Sequence, residues 1–130
     1  MPEAHTILIV EDEKALRSML AQKIRDEGYQ TVEAGDGAEG LELALRKHPA
    51  VVILDIMMPG TDGLAMLQQL RKNIPYGANV PVIMLTNLTP DSDQIIKAIE
   101  VYEPVFYLVK ADTTPVIVVD KIREALEKTA

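Results

Sequence analysis

Short apolar runs alternate with longer amphipathic ones along the whole chain, and few folds accept that pattern. The runs are "TILIV" (6–10), "YQTVEA" (29–34), "VVIL" (51–54), "VPVIML" (80–85) and "VFYLV" (105–109). Their length and branching predict strands. The stretches between them carry helical spacing. Leu16, Leu20 and Ile24 recur every fourth residue, with Ala15 and Met19 beside them, and Gly28 is a natural stop. Asp36 is placed to cap a second helix through 38–48, with Leu41, Ala44 and Leu45 inward. A third helix, 62–72, carries Leu64, Leu67 and Leu70, and "NIPYGAN" (73–79) reads as a loop. Thr89 as N-cap with Pro90 behind it predicts the fourth helix. Thr114-Pro115 repeats that signal before 116–128. There Val118, Ile122, Ala125 and Leu126 keep helical spacing through a β-branched start. Met19, Met66 and Met84 are expected to fill the core, and Met58 to lie on an exposed loop.

Strands that alternate with helices imply an α/β fold, a doubly wound parallel sheet covered on both faces. The 130 residues suit a single domain, with no linker, repeat or low-complexity tract. Without cysteine there is no disulfide framework, thiolate metal site or thiol nucleophile. This fits a cytoplasmic setting. No apolar stretch approaches the ~18 residues of a membrane span, and "MPEAHTILIVEDE" lacks the marks of a signal peptide, so no membrane insertion is expected. A net charge of −7 argues against direct nucleic-acid binding and favours cations and basic partners.

The residues that follow the strands carry the chemistry. Strand one ends in Glu11-Asp12, strand three in Asp55, strand four in Thr86-Asn87 and strand five in Lys110. Open parallel sheets bind ligands beyond the carboxyl ends of their strands. Three carboxylates gathered there would repel one another without a cation, and hard oxygen ligands suit Mg²⁺. Lys110 adds a mobile positive charge and Thr86 a hydroxyl for phosphoryl oxygens. The set makes a plausible phosphoryl-transfer site with Asp55 as nucleophile. His5 and His48 have no partner at metal-ligand spacing and read as isolated surface residues.

In order, "ILIVEDE", "VVILDIMMPGTDG", "VIMLTN" and "YLVK" resemble the receiver domain of bacterial two-component response regulators, over essentially the whole chain. The resemblance implies a flavodoxin-like (βα)5 sandwich with strand order 2-1-3-4-5. It implies that Asp55 is the phosphoacceptor, and that Glu11, Asp12, Asp55 and the backbone carbonyl of Met57 hold Mg²⁺. Thr86 and Lys110 would bind the phosphoryl group, and Tyr107 would be the switch aromatic. A histidine kinase, a phosphotransfer protein or a small acyl phosphate would be the donor. The output would be the surface of the fourth helix, fifth strand and fifth helix, which controls a downstream protein; some receivers also form homodimers through it. The phosphoryl oxygens would offer Thr86 and Lys110 partners they lacked, through two charge-assisted bonds of ~1.5–3 kcal/mol each. That is of the order of the ~5 kcal/mol needed to move such a two-state equilibrium.

Two positions depart from the family pattern. Asn87 replaces a usually small residue and is expected to restrict access to Asp55 and alter the dephosphorylation rate. Ala111 replaces a proline that usually follows the lysine in a cis bond. A non-proline cis bond costs roughly 2.5–4 kcal/mol, so Lys110–Ala111 is either trans or strained, and a trans bond questions the aim of Lys110. "KADTTP" could rebuild the loop with turn bonds from Asp112 and Thr113.

Other functions compete less well. A Mg²⁺-dependent aspartyl phosphatase needs a second aspartate where "DIMMP" has methionine. A flavin or nucleotide carrier needs a phosphate-binding loop, but "EDEKA" is acidic and no glycine-rich fingerprint occurs. A receiver-shaped docking module that takes no phosphate stays open because of Asn87 and Ala111. The expectation is a signalling receiver that catalyses only its own phosphorylation and dephosphorylation. Nothing follows the last helix, so it is expected to be one receiver domain over 1–130 without an output domain, either stand-alone or cut from a longer regulator.

Overall fold

A strand buried on both faces must be apolar at nearly every position, and the central strands here are. In the computed structural model, which describes residues 5–58, 61–87 and 93–129, Ile7 to Val10 and Val51 to Leu54 are all buried. The elements run β1 (Thr6–Val10), α1 (Lys14–Asp26), β2 (Gln30–Ala34), α2 (Gly37–Lys47), β3 (Val51–Leu54), β4 (Met57–Met58), β5 (Thr61–Asp62) and α3 (Gly63–Arg71). There follow α4 (Tyr76–Asn79), β6 (Val82–Thr86), α5 (Asp93–Tyr102), β7 (Phe106–Val109), a 3₁₀ turn (Lys110–Asp112) and α6 (Pro115–Thr129).

Five strands make one sheet in order β2-β1-β3-β6-β7, all pairs parallel. Among the five long strands this is the expected order 2-1-3-4-5. Alternate residues divide between two cores. Leu8, Val10, Val52, Leu54, Val82 and Met84 pack with residues of α2, α3 and α5. Ile7, Ile9, Val51, Ile53, Ile83 and Leu85 pack with residues of α1 and α6. The winding direction reverses between β1 and β3, which opens a crevice at their carboxyl ends.

The helix signals held where the described residues test them. Asp36 accepts from the Glu39 amide at 2.8 Å, and Thr114 Oγ1 accepts from the Ile117 amide at 3.3 Å with Pro115 at N1. Gly28, at φ 99°, donates its amide to Arg25 O and ends α1 in a conformation that side chains resist. The Thr89-Pro90 cap lies outside the described residues, as does the side chain of Met58.

The structure departs from the sequence reading at four places. Met19 is 52% exposed and Ala15 is also exposed, because the buried stripe of α1 runs through Leu20, Ala21 and Ile24. "NIPYGAN" is not all loop: it contains α4, after a cis Ile74–Pro75 bond. Distant side chains hold that turn in place. Arg71 donates to Gly77 O at 3.0 Å, Val80 O at 2.6 Å and Tyr102 O at 2.8 Å. Tyr76 donates its hydroxyl to Pro49 O at 2.6 Å. Its ring stacks on His48 with centroids 4.2 Å apart, so His48 is exposed as expected but not isolated. Finally, β4 and β5 form a small antiparallel pair just after Asp55 that the apolar pattern did not announce.

Candidate functional site

The parallel register ends β1 and β3 level with each other, and carries β6 and β7 two residues further. Val10 is the Cα partner of Leu54, Leu54 of Met84, and Thr86 of Val109. The residues that follow therefore meet at one edge. The Asp55 amide donates to Val10 O and the Glu11 amide to Ala34 O, each at 3.0 Å, so both backbones continue the ladder by one step. Their side chains enter the crevice. Glu11 and Asp55 are each 3% exposed and Thr86 is fully buried, while Asp12 stands at the open rim.

Oxygen atoms of Glu11, Asp12 and Asp55 lie within 4.8 Å of one another. The Lys110 ammonium donates to Asp55 Oδ2 at 2.7 Å and forms an ion pair with Glu11 Oε1. Burial pushes the Glu11 carboxyl up to about 7. The Lys110 ammonium and the Glu13 amide oppose that shift, and Asp12 and Asp55 reinforce it. For Lys110, burial alone would lower the pKa, but the bonds to Asp55 and Glu11 outweigh it and raise it. The Lys110 ammonium thus pairs with two of three clustered carboxylates. The negative excess and the hard oxygen donors fit a small divalent cation such as Mg²⁺.

Lys110 settles two expectations. Ile74–Pro75 is the cis bond among the described residues, so Lys110–Ala111 is trans, and Lys110 still reaches the carboxylates. The turn "KADT" does the aiming. The Thr113 amide donates to Lys110 O at 3.2 Å and its hydroxyl donates to Val109 O at 2.7 Å. The expectation that Lys110 lacks a partner before phosphorylation is wrong, because its ammonium already holds two carboxylates. A phosphoryl group would exchange these contacts rather than add to none, so the net gain is smaller than a simple sum of new bonds.

The other expected residues lie nearby. Tyr107 is half-buried on β7, against the core that contains Met84, its Cα partner. Asn87 is exposed just beyond Thr86, and Ala111 is exposed in the 3₁₀ turn. Met57 opens β4, two residues past Asp55. Sequence reasoning missed Arg17 and Glu33. The Arg17 Nη1 donates to Glu11 O at 2.8 Å, and its Nε donates to Glu33 Oε1 at 3.2 Å. No local spacing signals a contact from a helix to the strand end behind it.

Gly63 braces the same site. A Cβ there would lie 2.5 Å from Ile56 Cα and 2.6 Å from Asp55 O. Backbone must then shift beneath Asp55. Gly63→Ala is expected to cost about 1–3 kcal/mol, the usual range for overpacking. Urea denaturation measures this, and an unchanged midpoint would refute the close approach.

Comparison with known proteins accords with this arrangement. Residues 7–119 match the family described as response regulator receiver domain. The chain is 43% identical over 89 residues to a probable transcriptional regulator ycf27 of Porphyridium aerugineum, covering 68% of this chain and 35% of that protein. It is 39% identical over 90 residues to the probable transcriptional regulatory protein TcrX of Mycobacterium tuberculosis, covering 69% and 37%. The matched stretch thus spans about a third of the length of these curated relatives. Among solved structures, a CheY-like receiver domain protein of Methanospirillum hungatei superposes with TM-score 0.86 at 25% identity, covering 97% of this chain and 96% of that one. The chemotaxis protein CheY4 of Vibrio cholerae gives 0.84 at 26% identity, covering 95% and 100%. Receiver domains are signalling modules, and they generally bind Mg²⁺ at an acidic pocket of the kind found here. The fold, the strand-end cluster and the family match agree: the chain belongs to the response regulator receiver domains of two-component signalling.

Proposed function

We propose that Asp55 accepts a phosphoryl group from a phosphohistidine on a histidine kinase or phosphotransfer protein. The observation that carries this reading is the buried Asp55 carboxylate, set between an acidic pair and the Lys110 ammonium at 2.7 Å. In the transfer, an Asp55 oxygen bonds to phosphorus as the phosphorus–nitrogen bond breaks, and the electron pair leaves with the imidazole. Glu11, Asp12, Asp55 and the Met57 carbonyl would hold Mg²⁺. Bound there, the cation would neutralise charge on the transferring group. Lys110 swings from the carboxylates to a phosphoryl oxygen, and the Thr86 hydroxyl donates to another. Tyr107 follows Thr86 and transmits the change to the surface of α5, β7 and α6. That surface binds a downstream protein, and a second copy could use the same face. Asn87 and Ala111 tune the lifetime of the phosphoryl group.

The 130 residues act as one receiver domain. A cytoplasmic location accords with the absence of cysteine and with the absence, among the described residues, of any helix long and apolar enough to cross a membrane. The test is intact mass after incubation with acetyl phosphate and Mg²⁺. We expect wild type to gain one phosphoryl group only when Mg²⁺ is present, and Asp55→Asn to gain none. Folded wild type that gains no mass and binds no beryllofluoride would instead favour a phosphorylation-independent docking module.

A further inference from the structure

The contacts of Arg17 point to a positioning residue for the acidic pair. We propose that Arg17, anchored on Glu33, holds the Glu11 backbone so that the Glu11 and Asp12 carboxylates converge on a divalent cation. This rests on the reading of the cluster as a Mg²⁺ site.

The β1 ladder ends at Val10, the partner of both Ala34 and Leu54. Glu11 O therefore lies one residue beyond the last paired position. Arg17 Nη1 meets it at 2.8 Å from one turn into α1. The Glu11 amide is held from the other side by Ala34 O at 3.0 Å. The residue is thus gripped at both backbone groups while its side chain turns into the crevice. There Glu11 Oε2 accepts from the Glu13 amide at 3.2 Å, which ties the side chain to the loop that carries Asp12.

The guanidinium is itself held. Its Nε meets Glu33 Oε1 at 3.2 Å, and Glu33 is on β2 beside β1. It passes over Gly35, where an added Cβ would stand 3.3 Å from Nη1, tighter than ordinary contact. The Arg17 side chain is only 17% exposed, so a solvated surface pair is a poor description. A planar fork can serve a carbonyl and a carboxylate together, whereas an ammonium on a flexible stem does so less well. Groups that orient metal ligands from behind typically change metal affinity by 10–100-fold when removed.

Mg²⁺ titration by calorimetry tests this on the full chain for wild type, Arg17→Met, Arg17→Lys and Glu33→Gln. It should be run well below each melting temperature, with amide exchange followed in the metal-free protein. We expect Arg17→Met to raise the Mg²⁺ dissociation constant about tenfold and to speed exchange of the Glu13 amide. Arg17→Lys should recover part of the affinity. Glu33→Gln, which leaves the bond to Glu11 O in place, should give a smaller rise and serves if Arg17→Met does not fold. A merely structural role would lower the melting temperature and leave the dissociation constant of the folded protein unmoved, which would overturn the proposal. Wild type that binds no Mg²⁺ would overturn this role together with the metal site. Wild type that binds, with folded Arg17 and Glu33 variants binding equally well, would overturn the role of Arg17 alone.

Discussion

Lys110→Met is expected to destabilise the metal-free protein by about 3 kcal/mol, the scale on which breaking a buried ion pair costs stability. Asp55 and Glu11 are each 3% exposed, and both pair with the Lys110 ammonium. Without it, two buried carboxylates lose their ion pairs and stand close to each other and to the exposed Asp12. The raised pKa of Lys110 gives the sign. Its contribution is complete at neutral pH and is lost only as pH rises through its folded value. For a domain of this size the change is on the order of 10 °C in melting temperature. Added Mg²⁺ should narrow the gap, because a cation would take over the neutralising role. Glu11→Gln combined with Lys110→Met should recover part of the loss, since one buried charge leaves with its partner. Differential scanning calorimetry in the presence of a chelator reads all of this. A variant that melts with the wild type under those conditions would show that the lysine does not support the carboxylates.

The parallel sheet was legible because its signal is local. "VVIL" and "ILIV" are apolar at every position, as strands covered on both faces must be. Asp55, Thr86 and Lys110 were legible for the same reason, as polar residues directly after such runs. Contacts between distant segments were not legible. Lys110 and Asp55 are 55 residues apart in sequence, and nothing in "YLVK" says that its ammonium is already engaged. Arg17 read as one polar position on an amphipathic helix, and Glu33 as one residue of a strand. Their meeting depends on how α1 packs against β2. Arg71 donates to Gly77 O within "NIPYGAN" and also to the Tyr102 carbonyl 31 residues on, contacts that local turn chemistry does not disclose. Met19 failed differently. A helical stripe about 100° wide leaves its flanking positions ambiguous, and the burial of Ala21 rather than Ala15 set the stripe to one side.

Glu11→Gln is expected to stabilise the metal-free protein at about pH 8 by roughly 3 kcal/mol and to change little near pH 4. Burial first, with help from Asp12 and Asp55, raises the Glu11 carboxyl from an ordinary 4.5 to about 7 in the fold, despite Lys110. Below 4.5 the group is neutral in both states and contributes no difference. Between 4.5 and about 7 the unfolded chain sheds the proton that the fold retains, so stability falls as pH rises. Above about 7 both states are ionised and the accumulated cost stays constant. Glutamine has no such proton to lose, so its advantage opens across this window. Mg²⁺ acts in the opposite direction. A bound cation favours the ionised carboxylate, so wild type should gain more stability from Mg²⁺ at about pH 8 than near pH 5, and Glu11→Gln should gain little at either. Urea midpoints at both pH values, with chelator and with saturating Mg²⁺, provide the measurement. Equal stability of the two proteins at the higher pH without metal would refute a strained Glu11. The expected pattern would mean that the fold holds an under-neutralised carboxylate at its sheet edge, and that relief of this cost contributes to the affinity for the cation.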